Sequence, residues 1–126
     1  MADAGSAPRD LECVVPILNV SDFARSMGYF VAQLGFTKQW DWGGDPPTFG
    51  SVARDGIEIF LCVDGQGQPG TWMSIFVRDV DALHTELVGR GATIRRPPTD
   101  ESWGMREMHV VDPDGHTIRF GTATHD

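Results

Sequence analysis

Chemistry near neutral pH needs a nucleophile with a partner base, a cluster of metal-binding side chains, or a surface that grips a ligand without reacting with it. The chain offers little for the first two. Its histidines are His84, His109, His116 and His125, and its cysteines are Cys13 and Cys62. No His-Glu-x-x-His run, Cys-His pair or Ser-His-Asp arrangement can be read from their spacing, and there is no glycine-rich phosphate loop. Strand alternation around the turn at 112–115 sets His109 opposite Ile118 and His116 opposite Val111, on an outer face. His84 falls toward the exposed side of a helix, and both cysteines read as small hydrophobes in strands. The aromatic residues offer the third kind of chemistry. Trp40, Trp42, Trp72 and Trp103 all fall at strand ends or in loops, where an indole can stack on a flat ring or a cation. Asp41, Asp45 and Glu58 would add negative charge for a cationic ligand, although Asp41 and Asp45 read equally well as solvated loop residues.

These residues sit in a chain of 126 residues, 40% hydrophobic and 22% charged, with a formal net charge of −8. That is the make-up of one ordinary globular domain. The acidic balance repels phosphate backbones and anionic lipid, so neither nucleic acid nor membrane is expected as a partner. No stretch approaches the roughly 20 apolar residues of a membrane span. Residues Met1 to Asp10 lack the basic start and apolar run of an export signal and read as a tail. Two cysteines without such a signal point to the reducing cytoplasm.

The chain reads as one unit written twice. Val20-Ser-Asp22-Phe23 followed by Leu34-Gly35-Phe36 matches Val77-Arg-Asp79-Val80 followed by Arg90-Gly91-Ala92, and Asp55-Gly56 matches Asp114-Gly115, at offsets of 56 to 59 residues. The order predicted is βαβββ twice, with 11–65 as the first module and 71–122 as the second. In the first, strands Glu12 to Val20, Phe36 to Trp42, Thr48 to Arg54 and Ile57 to Val63 surround a helix. Asp22 caps that helix, Phe23, Met27, Phe30, Val31 and Leu34 form its apolar stripe, and Gly35 stops it. In the second, strands Trp72 to Arg78, Ala92 to Arg96, Arg106 to Asp112 and His116 to Thr122 surround a helix capped by Asp79. Its stripe is Val80, Leu83, Leu87 and Val88, and Gly91 stops it. Pro16 marks the first strand as an edge or a bulge. Asp55-Gly56 is a two-residue hairpin turn, and Asp112-Pro113-Asp114-Gly115 carries the signature of a type I turn. Each sheet covers one face with its helix and leaves the other to find a partner or a ligand, so two curved sheets make an α+β cup of eight strands.

This order resembles the vicinal oxygen chelate superfamily of glyoxalases, bleomycin resistance proteins and dioxygenases. The matching pieces span residues 11 to 122: Val15-Pro-Ile-Leu18, Leu34-Gly-Phe36, Arg54-Asp-Gly-Ile-Glu-Ile-Phe-Leu61, Val77-Arg-Asp79, Trp103-Gly104 with Arg106-Glu107, and Asp112-Pro-Asp-Gly115. The resemblance is strongest to the bleomycin-binding resistance proteins. It implies a homodimer that exchanges its N-terminal strand and binds ligand in grooves between subunits. For the metal-dependent members it implies four ligands, usually His, Glu or Gln, at positions that here hold Val15, Phe60, Trp72 and Arg119. Valine and the aromatic rings offer no donor and arginine stays protonated, so no metal and no cofactor is expected.

The expected function is therefore metal-independent sequestration of an aromatic, cationic antibiotic of the bleomycin or phleomycin class. The alternatives are another flat antibiotic, such as an enediyne or a mitomycin, or a metal-dependent lyase, dioxygenase or thiol transferase of the same superfamily. The expected ligand contacts are Trp40, Trp42, Phe49, Glu58, Phe60, Trp72, Phe76, Trp103, Met105, Met108 and Arg119, with no catalytic residue. Strand alternation groups Phe49, Ser51, Ala53, Glu58, Phe60 and Cys62 on one face, Trp72, Ser74, Phe76 and Arg78 on another, and Arg119 with Arg106, Met108 and Val110.

Overall fold

The computed structural model describes residues 10–124, so His125 lies outside the described residues. The elements are β1 (Ile17–Val20), α1 (Phe23–Gly28) prolonged by a π-helical segment Tyr29–Gln33, β2 (Thr37–Trp42), β3 (Phe49–Arg54), β4 (Ile57–Val63), β5 (Trp72–Phe76), α2 (Val80–Gly89), β6 (Thr93–Asp100), β7 (Met105–Val111) and β8 (Thr117–Ala123). They form two four-stranded sheets of the same topology, β1-β4-β3-β2 and β5-β8-β7-β6. β1 and β5 are edge strands, each parallel to its neighbour; the other pairings are antiparallel. β1 is shorter than expected: Pro16 lies just before it, and its carbonyl accepts from the Phe60 amide at 2.9 Å. β6 is longer, running through Pro97 and Pro98 to Asp100.

Both helix ends are fixed by local chemistry. Asp22 accepts from the Arg25 amide at 3.0 Å and Asp79 from the Ala82 amide at 3.1 Å, each capping its helix. Gly35 and Gly91 follow the helices at φ +76° and +83°, the left-handed conformation that glycine adopts without a steric penalty. A β-carbon at Gly35 would also lie 2.8 Å from the Arg54 guanidinium, which donates to the Leu34 carbonyl. Two stripe positions differ from expectation. Val31 and Val88 are exposed, and the wider π-helical turn instead accompanies burial of two consecutive rings, Tyr29 and Phe30.

One core serves both modules. Leu18, Phe30, Leu34, Val52, Ile59 and Leu61 from the first join Val80, Leu87, Met108, Val110, Ile118 and Phe120 from the second. Tyr29 bridges them: its hydroxyl donates to the Val111 carbonyl at 2.8 Å and accepts from the Thr93 amide at 2.9 Å. The turn at 112–115 is a second fastening. Asp114 accepts from the amide and hydroxyl of Ser21 at 2.9 and 2.7 Å, just ahead of α1. His116 is fully buried and accepts from the Thr71 amide at Nδ1, so its proton sits on Nε2 and is donated to the Asn19 carbonyl at 2.6 Å. Arg54 and Arg90 both reach Glu86 of α2 and hold its carboxyl below the usual range, chiefly through the Arg54 hydrogen bond. Because the helix-bearing faces of both sheets share this core, the two open faces point away from it and do not face each other within one chain. The concavity at the seam of the modules, about 620 Å³, is lined by residues such as Phe36, Ile57, Leu83 and Phe120, with Phe76 at its margin.

Candidate ligand-binding site

The open face of the first module is aromatic. Trp40, Phe49 and Phe60 pack in a triangle with ring centroids 5.3 Å apart on every side. Period-2 alternation and the tight turn at Asp55-Gly56, both residues at positive φ, put Phe49, Ser51, Glu58, Phe60 and Cys62 together, in the register expected. The tryptophans need one further device. Between Lys38 and Trp40 the β2–β3 register slips by one residue. Without that bulge, Thr37 would share its face with Gln39 and Asp41; with it, Trp40 pairs with Ser51 and Trp42 with Phe49. Trp40 stays 38% exposed although it touches two rings. Glu58 is occupied locally, accepting from the buried Ser51 hydroxyl at 2.5 Å. Asp41 is paired with Lys38, and Asp45 is exposed in the loop beyond β2.

The open face of the second module is polar at its centre and aromatic at its edges. Trp72, Ser74 and Phe76 of β5 share it, as expected, and are exposed. The last hairpin differs from expectation. Gly115, at φ +82°, adds a bulge residue after the type I turn, in which the Gly115 amide donates to the Asp112 carbonyl. Every pairing in β7–β8 is therefore displaced by one, and His109 lies opposite Arg119. Met108, Val110 and Arg106 go to the other side. Met108 is fully buried in the shared core and Arg106 binds Asp81 of α2, so neither Met108 nor Arg106 belongs to the open face. His116 also departs from the outer-face position, turning inward to join the modules.

The residues that replace them are Glu107 and His109. Glu107 is 1% exposed. Its carboxylate accepts from the Trp103 indole at 2.8 Å, lies 3.4 Å from a guanidinium nitrogen of Arg119, and lies 3.8 Å from His109 Nε2. Gly121, directly across from Glu107, makes room: a β-carbon there would sit 2.7 Å from the Met105 methyl. Met105 thus lies over this group on the open face. Arg119 also donates from Nε to the Ser74 hydroxyl at 3.2 Å. His109 meets Trp72 edge-on at 5.2 Å, and Arg95 stacks over the same indole. Burial, then the nearby Arg96 and Arg95, push the His109 imidazole below its usual pKa, so it is neutral at pH 7. Only the Glu-x-His spacing of 107 and 109 could have signalled this cluster, and that required the correct register.

Trp42, Phe76 and Trp103 are 71%, 72% and 61% exposed. Each is a large apolar ring left in solvent on or beside an open face. Of the four strand positions considered for metal ligands, Phe60 lies on the first open face, Trp72 and Arg119 on the second, and Val15 just ahead of β1. Among the described residues no group of three or more His, Cys, Asp or Glu is gathered that could hold a metal ion; Glu107 and His109 are two, and Arg119 beside them repels a cation.

A sequence profile described as that of a glyoxalase superfamily protein matches residues 7–126. No curated protein matches the chain. Among solved structures, the chain is similar to the bleomycin-binding protein of the bleomycin producer Streptomyces verticillus, solved with copper(II)-bleomycin. That match has 28% identity and a TM-score of 0.73, covering 94% of this chain and 100% of that one. It is similar to TnmS3, an antibiotic-binding protein from Streptomyces sp. CB03234, at 25% identity and a TM-score of 0.73, covering 92% and 99%. TioX from Micromonospora sp. ML1 shares the fold, at 23% identity and a TM-score of 0.77, covering 89% and 98%.

Proposed function

The chain belongs to the glyoxalase superfamily, and from that premise we propose that it is a cytoplasmic drug-binding protein that holds an aromatic antibiotic without transforming it. The observation that carries this reading is the set of indole and phenyl rings on the two open faces, with Phe60 and Trp72 at two of the four positions where a metal-dependent relative would need donors and Val15 and Arg119 at the others. Stacking holds a flat ligand through dispersion and ring electrostatics and asks for no bond to form. Protection is then stoichiometric, set by affinity and by protein concentration.

In this reading the protein works as a homodimer. The open faces of one chain point away from each other, so a two-fold partner brings the first-module face of one chain against the second-module face of the other. Trp40, Trp42, Phe49, Phe60 and Glu58 form one wall of the groove. Trp72, Phe76, Trp103, Met105 and Arg119 form the other, with Glu107 and His109 behind them. The segment before β1, with Leu11 and Val14 exposed, is the part to exchange between subunits. The bleomycin or phleomycin class is the ligand to test first, given the likeness to the Streptomyces verticillus protein; an enediyne or a mitomycin comes second.

Titration of tryptophan fluorescence with copper(II)-bleomycin, metal-free bleomycin, phleomycin and mitomycin tests the reading. Saturable quenching at micromolar concentration with one site per chain is expected. No quenching by any of them overturns it. Sedimentation equilibrium should return the mass of a dimer. Metal analysis of protein purified without chelator gives the opposing outcome: one tightly bound iron, manganese, nickel or zinc per chain would turn the reading toward a lyase, dioxygenase or thiol transferase.

A further inference from the structure

The second-module open face is locally cationic in a chain of net charge −8. A bulge between Ile94 and Arg96 seats two residues of β6 against one of β7. As a result Arg96 pairs with His109 while Arg95 reaches Trp72 and Thr117 on the same side. Arg119 lies in the same row. Three guanidiniums therefore meet two carboxylates, Glu101 and Glu107. Glu101 is committed to Arg96 and Glu107 to the Trp103 indole, with Arg119 close by. His109 adds no charge near neutral pH. Arg95 is taken up by Trp72 and Thr117, but the Arg119 side chain remains 35% exposed, with one terminal nitrogen near Glu107 and Nε on Ser74. A planar guanidinium held from behind is a ready fork of donors for a pair of oxygens.

We propose that this face is an oxygen-acceptor subsite, in which Arg119, flanked by Ser74 and His109, takes a carboxylate or a pair of carbonyl or phenolic oxygens on the ligand and disfavours a cationic group. This rests on the groove reading above and names the chemistry of the half of the ligand that meets the second module. It places the oxygen-rich part of the ligand at the second module and leaves any cationic part to the first, where Lys38 offsets Asp41 but Glu58, hydrogen-bonded only to the neutral Ser51 hydroxyl, and the exposed Asp45 keep their charge.

The test holds the ring constant and varies the head group. Ligand-observed NMR with the full chain would measure the affinities of 2-naphthoate, 2-naphthamide and 2-naphthylmethylammonium. The expected order is naphthoate, then naphthamide, then the ammonium, with about tenfold between the extremes, the scale of one charge-assisted hydrogen bond. Arg119→Gln should remove that preference and Arg119→Lys should restore part of it, with circular dichroism confirming that both variants fold. An ammonium probe that binds as well as naphthoate, an Arg119→Gln variant that keeps the full preference, or failure of every probe at millimolar concentration would overturn the subsite. An antibiotic that still quenches tryptophan fluorescence under any of these outcomes would leave sequestration standing, so the two readings fail separately.

Discussion

The same row across the two sheets reads differently in each module. Through Phe60 it runs Ile17, Phe60, Ser51, Trp40; through Arg119, the matching position 59 residues on, it runs Ser74, Arg119, His109, Arg96. The opposite faces have not parted in this way. Leu18, Leu61, Ile59 and Val52 answer Ile75, Phe120, Ile118 and Val110, apolar in both modules. The helix-bearing face is bound by close packing, where a change of one methylene is felt. The open face is bound only by the strand's own geometry, so one fold can present a stack of rings on one side and a field of guanidiniums on the other.

Several substitutions would sharpen or break this contrast. The largest effect is expected from Phe60→Ala, which removes the ring shared by Trp40 and Phe49. It should cost about 3 kcal/mol of stability in urea unfolding. Arg119→Met at the matching position should cost far less, and equal losses would mean that the two faces are held together in the same way. Next is Glu107→Ala, which leaves the Trp103 indole and the Arg119 guanidinium facing a gap. A loss of about 2 kcal/mol is expected, against about 1 kcal/mol for Glu58→Ala, whose only described partner is Ser51. A reversed order would break the picture of Glu107 as the organising carboxylate. Trp103→Ala takes a hydrogen-bond donor from the buried Glu107 carboxylate and should cost about 1 kcal/mol of stability, and it should weaken binding of a stacking antibiotic by about 1–2 kcal/mol in a fluorescence titration.

The smallest expected effect depends on pH. His109 has its pKa lowered in the folded chain, so on acidification the unfolded chain takes up this proton first. Stability from this site is complete above the ordinary histidine range and declines as pH falls through and below about 6.5. His109→Gln should flatten the wild-type decline in melting temperature between neutral and mildly acid buffer. The first-module face carries no histidine, so an unchanged slope would show that the acid response arises elsewhere.

Much of this layout could be read before any coordinates. The duplicated order followed from aspartate caps, glycine stops and aspartate-glycine turns, which are local chemistry and need no tertiary knowledge. The register of Phe49 to Cys62 was legible because a two-residue turn leaves no ambiguity. The errors gather at bulges. Gly115 adds one residue after a turn that otherwise looks ordinary, and that moves Met108 into the core and His109 onto the open face. The slip between Lys38 and Trp40 decides where two tryptophans point, and the one between Ile94 and Arg96 brings two guanidiniums to a side where alternation allows one. A bulge leaves almost no local signature, since it is set by twist and by what the neighbouring strand offers. The cationic surface was hidden for the same reason: summed over the whole chain its charges vanish beneath an acidic total.

The fastening of Asp114 to Ser21 carries a consequence for how the molecule comes apart. A turn of the later half finishes the entrance to the earlier half's helix, while Tyr29 closes contacts in the opposite direction. Neither repeat owns all the partners its own backbone requires. Cutting the gene between the repeats should yield two fragments that stay unfolded singly and recover structure when mixed, and heating the intact chain should give one melting event rather than two.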